Sequence, residues 1–293
     1  MQSNFKRAVK CGVSLAVFVC SSVRDFFWRL FGLKRQGTCV ILYYHSVPGD
    51  QQQRFADQLD AILRHTKPVS LSGPLILNPG DRCAAITFDD GFQNFAEVAV
   101  PELEHRKMPS TMFIIADALG KSFGPDSRPE PVMSAEEIRS LPRDLVAIGS
   151  HTLTHPFLPS LPEKEAMLEL AGSRMKLEGL LNRPVLLFSF PFGGFNEKLV
   201  EQCRTTGYAR VFTTLPEFSS LDPGAFVLGR VRVDPDDWPL EFRLKLAGAY
   251  RWLPWAFGLK RQLLANRLVR SFFSRREATA SSPRPPMIHE SQV

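Results

Sequence analysis

The middle of the chain, residues 38–242, alternates short apolar runs with stretches of helical periodicity. The apolar runs lie at 39–44, 84–88, 111–115, 145–148, 185–190, 209–213 and 226–231. The helical stretches lie near 55–65, 93–107, 134–140, 162–181 and 197–206. Because polar residues do not alternate within the runs, each strand should be buried on both faces, as in a parallel sheet covered by helices. The pattern predicts an α/β fold, an incomplete (β/α) barrel of about seven parallel strands. No run is followed by Gly-x-Gly-x-x-Gly, which disfavours a dinucleotide-binding sheet.

The charges divide the chain into an acidic body between two basic ends. Residues 1–37 carry a net charge of +6 and residues 243–276 a net charge of +9, whereas residues 38–242 carry −8. Both ends mix cations with Trp, Phe and Leu, so we predict amphipathic helical extensions at 1–37 and 243–276 and a disordered tail at 277–293. The weakly polar stretch 11–23 is shorter than the roughly 20 residues that span a bilayer.

These basic ends predict peripheral contact with an anionic membrane. A secretory signal at the N-terminus and a C-terminal helix packed on the core stay open as alternatives. The five cysteines form no Cys-x-x-Cys pair and are predicted to be free thiols, which favours the cytoplasmic face of the membrane. No nucleic-acid partner is predicted, because no recognised binding motif accompanies the charge.

Ionisable residues stand where several of the predicted strands end, and this is where a barrel of this kind places its functional groups. They include His45, the pair Asp89 and Asp90, and the segment from His151 to His155. Two adjacent carboxylates can reach one pocket only if the chain turns there, which Gly91 permits. A metal ion would resolve their repulsion, with one Asp as ligand and the other as a free base. A solvated turn with a helix-capping Asp is the alternative.

His151 and His155 stand four residues apart, and a helical turn would present both imidazoles on one side as paired metal ligands. Two His and one carboxylate also form the facial triad of non-haem iron oxygenases. That triad usually has its carboxylate two residues from one His, and Leu153 occupies the position here. A His-Glu-x-x-His metalloprotease motif is absent.

Three segments together resemble the first three motifs of the NodB-homology polysaccharide deacetylases, carbohydrate esterase family four. In order they are Thr87-Phe88-Asp89-Asp90-Gly91, Ser150-His151-Thr152-Leu153-Thr154-His155 and Phe190-Pro191-Phe192-Gly193. The resemblance covers roughly residues 38–235 and implies a distorted (β/α) barrel that removes acetyl groups from N-acetylated sugars. It further implies that Asp89 is the general base. Asp90, His151 and His155 would be ligands of a divalent metal, with Zn²⁺ preferred.

Two departures from the family pattern shift roles to other residues. The usual late Leu-x-His motif is absent, but residues 40–47 resemble the start of the circularly permuted poly-N-acetylglucosamine deacetylases, so that His45 inherits the general-acid role. The Arg that usually precedes the third motif is also absent, and Arg230 is the predicted substitute. Pro191, Phe192 and Gly193 are predicted to contact the substrate, with the Phe192 N–H toward the oxyanion. A buried packing role for Phe192 stays open.

The sequence therefore predicts a metal-dependent hydrolase of an N-acetylhexosamine-containing polysaccharide or lipid-linked glycan. A catalytically inactive, deacetylase-like module that binds glycan at a membrane is the principal alternative. A non-haem iron oxygenase is the third.

Overall fold

The computed structural model describes residues 2–33, 36–125, 127–216 and 225–256. The strands are β1 (Thr38–Tyr44), β2 (Lys67–Pro68), β3 (Arg82–Phe88), β4 (Ser110–Ile114), β5 (Ser122–Phe123), β6 (Glu130–Pro131), β7 (Val146–Ser150), β8 (Leu187–Ser189), β9 (Arg210–Phe212), β10 (Val227–Leu228) and β11 (Val231–Arg232). The helices are α1 (Gln2–Leu30), α2 (Gln52–His65), α3 (Val100–Arg106), α4 (Ala135–Ser140), α5 (Glu163–Leu181), α6 (Glu197–Thr206) and α7 (Pro239–Leu246). All of these elements belong to one compact unit that ends at Arg251.

Nine of the strands form one parallel sheet, which confirms the predicted fold class. Its order is β10-β9-β8-β7-β4-β3-β1-β11, and β2 pairs with β3. The sheet curls into a half-barrel whose end strands β10 and β11 are joined by only Gly229 and Arg230. Three residue steps span at most about 11 Å, so this short link holds the two ends of the curled sheet together. The sheet has nine strands where about seven were predicted, because the run 226–231 divides into two strands and the two-residue β2 gives no sequence signal.

The central strands are buried on both faces, as their continuous apolar runs predict. Six of the seven residues of β1, and likewise of β3, are buried. Alternate residues of β1 enter different clusters: Val40 and Leu42 pack with the helices that cover the sheet, while Cys39 and Ile41 face the inside of the curl. Burial of this kind, at about 25 cal/mol per Å² of apolar surface, is the main stabilising contribution to the barrel.

The covering helices largely match their predicted positions. Helix α2 buries Phe55, Leu59 and Ile62 at helical spacing. Helix α4 begins at a capping box in which Ser134 and Glu137 satisfy each other's backbone N–H groups. The predicted helix 93–107 is instead a π-helical segment, Phe95–Ala99, followed by α3. The hairpin of β5 and β6 was not predicted.

Helix α1 confirms a helical N-terminal extension but corrects its length. Its window Asn4–Trp28 is 25 residues long and apolar enough, by length and composition, to cross a membrane or to act as a signal sequence. The helical segment is therefore longer than the predicted stretch 11–23, because the helix continues well beyond those residues and includes Arg24 and Asp25. Of the predicted basic C-terminal helices, 257–276 lie outside the described residues, as does the predicted tail 277–293.

Candidate metal centre and active site

Six of the predicted site residues line one cleft at the carboxyl ends of the parallel strands, while Pro191, Gly193 and Arg230 lie behind its lining. His45 follows β1, Asp89 and Asp90 follow β3, and His151 follows β7. The cleft is lined by Tyr43, His45, Asp89, Asp90, Phe92, Phe123, Gly124, Pro125, His151, His155, Phe190, Phe192, Thr214 and Arg232. The sheet therefore brings together residues that are more than a hundred positions apart in the sequence.

Asp90, His151 and His155 form the candidate metal centre. The Oδ1 atom of Asp90 lies 3.6 Å from Nε2 of His151 and 3.5 Å from Nε2 of His155. One ligand atom from each residue lies within 4.8 Å of the others. Tetrahedral zinc bonded at about 2.0–2.1 Å separates its ligand atoms by about 3.3–3.5 Å, so the spacing suits such an ion.

The hydrogen bonding of these three side chains also fits a cation. Asp90 Oδ1 is buried and has no hydrogen-bond partner among the described residues. Nδ1 of His151 lies 2.7 Å from the carbonyl oxygen of Ser189, which makes Nδ1 the donor and directs the Nε2 lone pair toward Asp90. The unpartnered oxygen and the free lone pair are therefore available to a metal ion.

The protonation states of the three groups suit a cation as well. Burial lowers the pKa of His151 to about 4 and that of His155 to about 3, so both imidazoles are neutral near pH 7. Burial, followed by repulsion from Asp89, raises the pKa of Asp90 to about 8 against the opposing charge of Arg230. Without a cation Asp90 thus retains a proton at neutral pH, and metal binding would displace it.

The backbone turns sharply at these ligands. Asp90 and Gly91 have φ values of 72° and 84°, as expected if both carboxylates are to enter one pocket. The predicted helical turn at His151–His155 is wrong, because this segment is a loop with φ of 70° at Thr152 and 64° at His155. Left-handed backbone at such residues costs about 1–3 kcal/mol each and is typical of functional sites.

Glu169 of α5 holds this histidine loop in place. Its carboxylate accepts hydrogen bonds from the backbone N–H groups of Leu153 at 2.8 Å and Thr154 at 3.0 Å. The hydroxyl of Thr152 accepts another from the N–H of His155 at 2.9 Å. These bonds bring the imidazoles of His151 and His155 together although the segment between them is not helical.

Asp89 lies beside the triad but is held by Arg230. The two guanidinium NH2 groups each donate to one carboxylate oxygen at 2.7 Å. The remaining donors reach Thr87 Oγ1 at 3.0 Å, Ser189 Oγ at 2.7 Å and the carbonyl of Thr213 at 3.3 Å. All five N–H donors of the fully buried Arg230 are thereby satisfied.

This ion pair sets the charge state of Asp89. Burial raises the pKa of Asp89, and the charge of Arg230 outweighs burial, so that the pKa falls to about 2. The guanidinium carbon also lies 4.6 Å from the ring centroid of Tyr43, which restricts its position further. Asp89 is therefore ionised and fixed in orientation at any physiological pH.

His45 lies in the same cleft with a half-buried ring. Its Nδ1 is buried and has no hydrogen-bond partner among the described residues, and its ring packs against Tyr43 at 5.6 Å between centroids. Burial lowers the pKa of His45, and the carboxylate of Asp89 opposes that shift. The imidazole is therefore neutral at rest and close to the charged pair of Asp89 and Arg230.

The third motif forms one wall of the cleft. Phe192 is 67% exposed, which corrects the alternative of a buried packing role, and its ring centroid lies 4.7 Å from that of His155. Its φ of 57° places the residue in the left-handed region. Pro191 is buried, and Gly193 has φ of 68° where a Cβ would overlap the side chain of Thr214.

Several residues that support the site were not predicted. Ser189 contacts both His151 and Arg230, and Thr87, which opens the first motif but was given no role, contacts Arg230. Glu130 of β6 accepts hydrogen bonds from Ser46 at 2.6 Å and Asn94 at 3.0 Å, which fastens the β5–β6 hairpin beside His45. The position of Ser189 directly before the third motif was the sequence signal that could have indicated its supporting role.

Comparison with known proteins agrees with this geometry. The family model described as polysaccharide deacetylase matches residues 77–211, which include Asp89, Asp90, His151, His155 and the third motif. Residues 77–211 are therefore similar to a polysaccharide deacetylase domain. YxkH of Bacillus subtilis (strain 168), which carries that family's name, is 32% identical over 157 residues, or 54% of this chain. The match spans about half of YxkH, 53% of its length.

Solved structures share the fold of this part of the chain. The structure of IcaB from Ammonifex degensii superposes with a TM-score of 0.63 at 27% identity, covering 72% of this chain and 98% of IcaB. The Streptococcus pyogenes deacetylase PplD, solved in complex with acetate, superposes with a TM-score of 0.60 at 20% identity, covering 72% of this chain and 99% of PplD. The fold that these structures share with this chain thus extends beyond residues 77–211.

Proposed function

We propose that this protein is a metal-dependent hydrolase that removes N-acetyl groups from an N-acetylhexosamine-containing polysaccharide or lipid-linked glycan. The observation that carries the proposal is the separation of two neighbouring carboxylates into different roles. Asp90 faces His151 and His155, while Asp89 is turned onto Arg230. A pair of carboxylates in such different environments is typical of acid–base catalysis beside a metal.

Asp90, His151 and His155 are the residues that would hold the divalent cation, and Zn²⁺ suits their two imidazoles and one carboxylate. When bound, such a cation supplies Lewis acidity, which makes water more acidic and the acetamide carbonyl more electrophilic. A solvent-excluding wall of Phe123 and Phe192 flanks His155.

Asp89 accepts a proton from the attacking water in this mechanism. The salt bridge with Arg230 keeps the Asp89 carboxylate ionised and fixes its orientation. The same salt bridge lowers the basicity of Asp89, so Asp89 accepts a proton only as the water becomes more acidic in the transition state. Because the His45 imidazole is neutral at rest, it first takes up the proton that Asp89 has accepted and then passes that proton to the departing sugar nitrogen. One water molecule supplies the hydroxyl of acetate and the proton of the amine, so the reaction balances without another reactant.

The third motif would contact the acetyl group. Gly193 and Phe192 adopt left-handed backbone beside His155, which turns this segment of chain toward the cleft. We assign the Phe192 N–H to the developing oxyanion, and we assign Pro191 and Gly193 to fixing that turn. The exposed ring of Phe192 is then available to the sugar that carries the acetyl group.

The proposal is tested by measuring acetate release from a panel of N-acetylated glycans, with the full chain as isolated, after chelation, and after reloading with Zn²⁺. We expect release from at least one N-acetylglucosamine oligomer, loss on chelation and recovery on reloading. Glycan binding without acetate release would instead support the alternative of an inactive, glycan-binding module. Full activity after exhaustive chelation would refute the metal requirement.

Replacing His45 by Ala should lower turnover by about 10²–10⁴ while leaving metal affinity intact, because a general acid contributes that much and His45 is not among the triad. The measurement is the rate of acetate release at saturating substrate, with metal content determined on the same sample. His65→Ala, at the end of α2 and away from the cleft, is the matched control and should be unaffected. A near-normal rate in His45→Ala would show that another group protonates the amine.

Membrane association belongs to the same proposal. Helix α1 is apolar over 25 residues and carries cations near both ends, a combination that suits an anchor at an anionic bilayer. Cell fractionation tests this association, and recovery of the full chain wholly in the soluble fraction would contradict it.

A further inference from the structure

Helix α1 presents two chemically different faces along its length. At 100° per residue, Arg7, Cys11, Ser14, Phe18 and Ser21 lie on one side, here called the docked face. The opposite side is here called the outward face, and it consists of Phe5, Val9, Val13, Ala16, Cys20, Val23 and Phe27. This division does not correspond to a simple apolar and polar face, because both sides carry apolar residues.

The docked face packs against α7 and the residues around it. Cys11 is 7% exposed and Ser14 is fully buried. Arg7 donates to Glu241 and, at 2.9 Å, to the carbonyl oxygen of Asp236, and its guanidinium lies 4.8 Å from the ring centroid of Trp238. At the other end Arg251 donates to the hydroxyl of Ser21 at 2.8 Å. The contacts run from Arg7 to Ser21, about 21 Å of helix at 1.5 Å per residue.

This docking is incompatible with α1 crossing a bilayer. A spanning helix would place residues 4–28 inside the hydrocarbon, where Arg7 could not reach α7. Glu241 and Asp237 are buried and share Lys245 as a partner at 3.3 Å and 2.7 Å. Withdrawal of Arg7 would leave two buried carboxylates with one cation, which is costly. The docked helix is therefore an interfacial helix and not a spanning one.

The outward face has the properties of a surface that contacts lipid. Phe5 is 72% exposed, Val9 48%, Val23 50% and Phe27 49%. Lys6, Lys10 and Arg24 are exposed along the flank of this face, and Asp25 is the single acidic residue of α1. Cations that border an apolar stripe complement anionic lipid headgroups, whereas the acidic body of the chain would be repelled by them.

The position of α1 on the barrel determines which way the active site faces. Leu15 and Phe18 line a cleft with Thr38 and Arg82, the first residues of β1 and β3. The candidate active site lies past the last residues of the same strands. Seven residues at about 3.3 Å each separate the two ends by about 20 Å.

We propose that α1 lies along the surface of an anionic bilayer with its outward face in lipid, so that the deacetylase cleft opens away from the membrane. This inference rests on the proposed function for the identity of the cleft. It narrows the substrate to N-acetylated glycan chains that extend into water. Sugars attached directly to a lipid headgroup would lie at the wrong end of the barrel.

The orientation can be tested through cysteine chemistry. Cys20 lies exposed on the outward face, and the other four cysteines are buried. A fluorophore on Cys20 of the full chain should be quenched by vesicles of phosphatidylcholine and phosphatidylglycerol that carry a spin label near the headgroup. A fluorophore at exposed Lys121→Cys, next to the cleft residue Phe123, should be unaffected in a Cys20→Ser background. Quenching at position 121, or none at Cys20, would overturn the proposal.

Binding of the same vesicles is tested by flotation. Val9→Glu with Val23→Glu should weaken association at least about tenfold. The matched control, Leu168→Glu with Met175→Glu, adds the same charge at exposed positions of α5 and should not change it. Unchanged flotation of the α1 variant would overturn the proposal. The proposal would also be overturned if Cys20 were shielded in the absence of vesicles, either by a second copy of the chain or by residues 257–293. Acetate release from a soluble oligomer without vesicles reports the enzymatic activity separately.

Discussion

Asp89→Asn should reduce acetate release by about 10²–10⁴ and leave the metal in place. The substitution keeps the shape of the side chain but removes its capacity to accept a proton, and a positioned general base contributes an effect of this size. Asp89 is not one of the three clustered ligands, so the loss should appear in turnover and not in metal content. The measurement pairs steady-state acetate release with the metal content of the purified variant.

The matched control for that experiment is the neighbouring carboxylate. Asp90→Asn removes the charge of a predicted ligand and should lower both metal content and turnover. Asp89→Asn also leaves Arg230 without its counter-charge and should lower stability. Acetate release by Asp89→Asn and by Asp90→Asn must therefore be measured well below the unfolding temperature of each variant. Loss of metal from Asp89→Asn, with retention by Asp90→Asn, would reverse the two assigned roles.

Arg230→Met should destabilise the protein by about 3–5 kcal/mol. It removes the cation that is bonded to Asp89, whose carboxylate is 2% exposed, and a buried charge left without its partner carries a penalty of this order. It also leaves the hydroxyls of Thr87 and Ser189 without their donor. Since Arg230 lies in the two-residue link between β10 and β11, the loss should appear in global unfolding by urea.

Two variants make this prediction specific. Arg232→Met removes a partly exposed salt bridge with Asp234 two residues away and should cost less than about 1 kcal/mol. Asp89→Leu combined with Arg230→Met removes both charges and should recover part of the loss, since the two sites are directly coupled. Equal destabilisation by Arg230→Met and Arg232→Met would mean that the buried ion pair does not hold the half-barrel together.

The sequence predicted the central strands because burial on both faces leaves continuous apolar runs, as in β1 and β3. It could not predict that 226–231 divides into strands at opposite ends of the sheet. That division depends on the curl of the whole sheet, which brings Val227 and Val231 to different neighbours. The antiparallel hairpin of β5 and β6 pairs only two residues on each side, too few to leave a period-two pattern.

The sequence identified which residues form the candidate site, but not the backbone conformation that brings them together. The two histidines are separated by four residues, which indicates a helix, yet Thr152 and Glu169 hold them on a strained loop. Family resemblance, not spacing, pointed to Arg230, and the structure places its guanidinium on Asp89. The supporting contacts of Ser189 and Glu130 arise only when distant segments pack together.

The most direct test of this account is a calorimetric titration of Zn²⁺ into the chelated full chain and into its His151→Ala and Asp89→Asn variants. We expect one ion per chain for the wild type and for Asp89→Asn, and loss of stoichiometric binding in His151→Ala. Unchanged binding in His151→Ala, or no binding in the wild type, would contradict the convergence of Asp90, His151 and His155 on a single cation.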